Sequence, residues 1–72
     1  MDKIILKNRL KIARAEKNFS QEELANLVGV TRQTISSIET GQYCPSALLA
    51  FQLAKKLERR VEELFFLEGD EG

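Results

Sequence analysis

The stretch from Gln21 to Thr40, QEELANLVGVTRQTISSIET, decides the fold. Just ahead of it Ser20 offers a hydroxyl to the first free amides, and Glu23 can reach back to the Ser20 backbone, the reciprocal Ser-x-x-Glu cap of a helix start. The spacing predicts a helix over Gln21 to Val28 with Leu24, Ala25, Leu27 and Val28 on its apolar side. Gly29 supplies the left-handed residue that ends such a helix at little cost. Thr31 is a second hydroxyl cap, opening a helix from Arg32 to about Thr40. Two helices that meet steeply through so short a turn need a small residue at their close approach, a glycine in the turn, and branched apolar residues to lock one onto the other. Ala25, Gly29, Val30, Ile35 and Ile38 provide all of these in register, and the set is far more specific than any member of it.

On the second of these helices, Arg32, Gln33, Ser36, Ser37 and Thr40 fall within an arc of about 140° at about 100° per residue, while Ile35 and Ile38 point the opposite way. A solvated helix face favours long Lys and Glu side chains, which are better helix formers than Ser and Thr. Short hydroxyls beside Gln and Arg instead match the edges of bases in a DNA groove. Gln pairs twice with adenine, Arg twice with guanine, and Ser or Thr bonds either or touches a thymine methyl. The competing reading of this stripe is a polar face with no ligand.

Working outward, a first helix is expected from about Lys7 to Lys17, with Leu6, Leu10 and Ala13 inward. Gly41 closes the third helix, Gln42-Tyr43-Cys44-Pro45 connects, and Ser46 caps a fourth helix reaching roughly Leu57. Leu49, Ala50, Phe51, Leu53, Ala54 and Leu57 make it apolar around most of its girth, which predicts a central position. A short fifth helix follows over about Val61 to Phe65. Ile4-Ile5-Leu6 and Phe66-Leu67-Glu68 are short, apolar and rich in strand formers, so a two-stranded terminal ribbon is expected. The fold class is therefore all-α, five short helices in a single domain over residues 1–72, with that ribbon as a possible addition.

A chain of 72 residues supports one small core. With one cysteine and no histidine, it can form neither an internal disulfide nor a four-ligand zinc site, and no metal or cofactor is expected. No nucleophile–base pair can be assembled from these residues, so an enzyme is not expected. No apolar run approaches the length of a membrane span, and no signal segment is evident, which points to a cytoplasmic protein. Net charge is zero, yet it is unevenly spread: residues 1–17 hold six basic side chains against Asp2 and Glu16, and residues 58–72 hold six acidic ones against Arg59 and Arg60. Such polarity suits one face turned to phosphates and an acidic tail held away; a mixed, soluble surface accounts for it equally.

The chain resembles the small Cro and phage-repressor type, XRE-like, of helix-turn-helix regulators. The resemblance runs from Leu6 to Phe65 and rests on Leu10 with Arg14, Ser20-Gln21-Glu22-Glu23-Leu24-Ala25, Gly29-Val30, Thr31-Arg32-Gln33-Thr34-Ile35-Ser36, Ile38-Glu39-x-Gly41 and Pro45-Ser46. It implies a compact lambda-repressor-like domain that binds double-stranded DNA, its third helix in the major groove and its second crossing above. By position, Arg32, Gln33 and Ser37 correspond to base readers, and Ser36 shares their face. Gln21 matches a residue that touches phosphate and braces the recognition helix. Thr31, Thr40 and Gln42 match backbone-contacting places, Thr40 and Gln42 standing where the family often has asparagine or lysine. Tyr43 either joins them or packs beside Pro45. Cys44 stands where asparagine is frequent, as a redox sensor or as a plain thiol. Arg14 and Glu39 match a pair that ties the first helix to the third; the alternative is two unrelated surface charges.

A single recognition helix reads few base pairs, so a two-fold homodimer on a palindromic operator is expected, its helices about 34 Å apart. Leu48, Leu49, Phe66 and Leu67 exceed what so small a monomer can bury, and they predict a dimer interface within about residues 46–68. The resulting expectation is a homodimeric transcriptional regulator, a repressor, with an antitoxin-like or adaptor module on the same fold as the alternative.

Overall fold

A computed structural model describes residues 4–68 of the chain. The order is β1 (Ile5–Asn8), α1 (Leu10–Glu16), α2 (Gln21–Val28), α3 (Arg32–Glu39), α4 (Ala47–Leu57), α5 (Val61–Leu64) and β2 (Phe65–Glu68). Five helices thus carry a two-stranded antiparallel ribbon, and all-α describes the fold only approximately. Asp2, Lys3, Asp70 and Glu71, which contribute to the charge polarity of the sequence, lie outside the described residues.

Each central helix begins on a hydroxyl. Ser20 Oγ accepts from Glu23 N at 3.0 Å while Ser20 N donates to Glu23 Oε1 at 2.7 Å, the reciprocal cap. Thr31 Oγ1 accepts from Thr34 N at 3.2 Å, and Ser46 Oγ from Leu49 N at 3.1 Å. Gly29 adopts φ +76°, and a Cβ added there would meet nothing within 4 Å. Glycine is needed at this turn for its dihedral, not for space. The core joins Leu10 and Ala13 of α1, Leu24, Ala25 and Val28 of α2, Ile35 and Ile38 of α3, Leu49, Leu53, Ala54 and Leu57 of α4, Leu64 of α5, and Phe65.

Two boundaries and the burial of one helix differ from the sequence reading. Helix α1 starts at Leu10, because Lys7 and Asn8 pair instead with Phe66 and Phe65 of β2. Asn8 makes the break: its Oδ1 accepts from Leu10 N at 3.0 Å and its Nδ2 donates to the Ile38 carbonyl at 2.9 Å. One side chain therefore stops the strand, starts the helix and ties both to α3. Phe65 belongs to β2 and not to α5, since strand pairing with Asn8 competes successfully with a further helical residue. Finally, α4 is buried on one side only, leaving Leu48 70% and Phe51 64% exposed. Among the described residues no helix is long and apolar enough to cross a membrane, and no cluster of His, Cys, Asp or Glu has metal-ligand spacing.

Candidate functional site

Helix α3 is fixed from behind and open in front. Ile35 and Ile38 are 0% and 1% exposed in the core, whereas Arg32, Gln33 and Thr40 are exposed and Ser36 and Ser37 half-buried. At about 1 kcal/mol or more per buried branched side chain, that apolar grip settles the rotation of the helix. Its polar stripe then necessarily faces out. Gln33 Nε2 lies 3.4 Å from Ser37 Oγ, one turn on, a long contact that aligns the two side chains along the stripe.

The end of α3 is held by backbone. The Ser37 carbonyl accepts from Gln42 N at 2.9 Å, from Tyr43 N at 3.2 Å and from the Thr40 hydroxyl at 3.2 Å. Gly41 at φ +84° makes this wrap possible. Thr40, Gln42 and Tyr43 are consequently presented beside the stripe, all exposed, with Thr31 exposed at its start. Tyr43 is 48% exposed and lines a shallow pocket together with Cys44 and Pro45. Cys44 is a free, exposed thiol.

Behind the turn, Arg14 Nε donates to Glu39 Oε2 at 2.7 Å and its Nη2 to Oε1 at 3.3 Å. Gln21 Nε2 donates to the same Oε1 at 3.0 Å, and Arg14 Nη1 to the Phe19 carbonyl at 2.9 Å. The arginine and glutamate side chains are only 13% and 5% exposed, so this is a screened pair and not a surface one. One carboxylate thereby ties α1, the start of α2 and the end of α3, and it holds Gln21 at the edge of the α3 face. The resemblance has Gln21 brace the recognition helix without naming Glu39 as its partner, and the Asn8 brace escaped the sequence reading. For Asn8 a signal existed, a capping-type residue just ahead of the apolar run that opens at Leu10.

The residues expected at a dimer contact separate. Leu49 is 7% exposed and belongs to the core, so it offers no surface, because the inward side of α4 is Leu49, Leu53 and Leu57 at helical spacing. Leu48 and Leu67 are open and Phe66 is half-buried, with Arg9 lying 4.4 Å over its ring. Phe51 adds to Leu48 on the same side of α4 and overhangs an open groove of ≈ 600 Å³ that Ala54, Val61 and Phe65 also line.

The chain matches the helix-turn-helix family model over residues 10–64. An uncharacterised HTH-type transcriptional regulator of Methanocaldococcus jannaschii is 50% identical over 66 residues, 92% of this chain and 100% of that one. One from Bacillus subtilis is 48% identical over 65 residues, 90% of this chain and 98% of that one. Among solved structures, the restriction-modification controller protein C.AhdI from Aeromonas hydrophila is similar with a TM-score of 0.72 at 36% identity, over 76% of this chain and 80% of that one.

Proposed function

The chain belongs to the helix-turn-helix family as an XRE-type transcriptional regulator with a DNA-binding domain, and on that premise we propose that it binds a palindromic operator as a homodimer and represses the genes behind it. In this reading α3 lies in the major groove, where Arg32, Gln33, Ser36 and Ser37 meet base edges. Gln21, Thr31, Thr40, Gln42 and Tyr43 bond the sugar-phosphate backbone and set the register. A repressor of this size acts by occupying promoter DNA in the cytoplasm.

The observation that carries the reading is the outward stripe of α3, polar and uncapped by any other element, on a helix whose opposite face is fully buried. Self-association is supported by Leu48, Phe51 and Leu67, all more than half exposed, and by the weak affinity that a single small module would have at cellular salt. Zero net charge favours a second reading, a protein-binding adaptor on the same scaffold. Selection of bound duplexes from a random pool separates the two. The DNA reading expects a two-fold symmetric consensus that loosens in Gln33→Ala and Ser37→Ala; no enrichment of any sequence supports the adaptor.

A further inference from the structure

We infer that this regulator grips its DNA with almost no electrostatic capture: neutral donors hold the phosphates, and discrimination between duplexes falls to the base edges. The inference rests on the α3 reading proposed above and concerns how that face binds. From Ser20 to Ser46, the whole stretch that carries the proposed contacts, Arg32 is the single basic residue, set against Glu22, Glu23 and Glu39. Glu23 is engaged by the Ser20 amide and Glu39 by Arg14 and Gln21, while Glu22 stands exposed on the first turn of α2. The other donors available there are amides and hydroxyls.

Nor do cations elsewhere make up the difference. Charges of the two chain ends meet in space, Lys7 with Glu68 at 3.5 Å, Lys17 with Glu58 and Arg59 with Glu16, while Arg60 pairs locally with Glu62 at 3.8 Å. Such exposed pairs add little stability. They matter here because a cation beside its own carboxylate presents only a dipole to a phosphate beyond the Debye length of about 10 Å. Arg9, Lys11, Lys55 and Lys56 have no ion-pair partner among the described residues, but they stand just ahead of α1, on α1 and on α4, outside the contact stretch, and Arg9 lies over the Phe66 ring. Among the described residues, part of the polarity that the sequence suggests, one basic face and one acidic tail, is thus answered by ion pairs within the fold.

Salt dependence reads this directly, because each phosphate neutralised by a cation steepens the slope of log K against log salt by about 0.9. With at most one such contact per subunit, a dimer should lose only about tenfold in operator affinity between about 50 and about 200 mM salt, where six to ten contacts would cost about a thousandfold or more. The experiment is a titration of the selected duplex across that range with the full chain, repeated for Gln42→Lys. Gln42 is an exposed loop side chain, so the variant adds charge without touching the core. The variant is expected to lose about a further tenfold over the same range and to bind random duplex more tightly, narrowing its selectivity. A thousandfold loss for the unaltered protein, or a Gln42→Lys slope identical to it, overturns the inference while leaving DNA binding intact. Failure to prefer any duplex would instead remove the reading on which it stands.

Discussion

Arg14 and Glu39 show how one pair of side chains links stability to the site. Burial makes both charges costly unless each is answered, and here the carboxylate takes three donors while the guanidinium also reaches the Phe19 carbonyl. Arg14→Ala leaves that carboxylate with Gln21 alone, and about 3 kcal/mol of stability should go with it; a thermal melt checks this, with a fall of about 10 °C or more expected. At the opposite extreme, Glu58 is fully open, and its carboxyl is held below the ordinary value of 4.5 by the hydrogen bond and the charge of Lys17. A carboxyl depressed on folding stabilises above its unfolded pKa, and that contribution vanishes as pH falls through the folded value. Melts from neutral pH downward should therefore show Glu58→Gln losing less Tm on acidification than the unaltered protein. Both partners of the Arg14–Glu39 pair are legible in the sequence through resemblance. That Gln21 braces the recognition helix is legible in the same way, but its partner Glu39 is not, because a glutamine at a helix start has many partners within reach and only the packed structure selects one.

At the scale of elements, the turn between α2 and α3 depends on a dihedral. Gly29 at φ +76° has open space around its α-carbon, so Gly29→Ala should cost about 1 kcal/mol through left-handed strain alone, measured by denaturant unfolding with little change in the m-value. The three hydroxyl caps, Ser20, Thr31 and Ser46, stand in the sequence where the helices begin, and their starts were readable to the residue. The start of α1 was not. Lys7 fits a helix by local preference, yet strand pairing of Lys7 and Asn8 with Phe66 and Phe65, nearly sixty positions away along the chain, takes both. Non-local pairing of that kind leaves no periodic trace in so short a segment. Helix α4 misled in a related way. An apolar girth signals burial, but nothing local distinguishes burial in the monomer from burial against another subunit, and Leu48 and Phe51 take the outer side.

For the whole molecule, the exposed apolar side of α4 and the groove beside Val61 and Phe65 predict self-association. Sedimentation at tens of micromolar should report a dimer, and Phe51→Glu, whose side chain is already 64% exposed and therefore tolerates the change in the monomer, should shift it to monomer with little loss of helix content. The central claim remains that the outward stripe of α3 reads bases. Its most direct test is the ratio of affinities for the selected operator and for random duplex, in the unaltered protein and in Gln33→Ala. A bidentate glutamine–adenine contact discriminates by about 1–3 kcal/mol, so the ratio should start at about a thousand or higher and fall by at least about fivefold in the variant. A ratio near one, or one that Gln33→Ala leaves unchanged, would contradict the account.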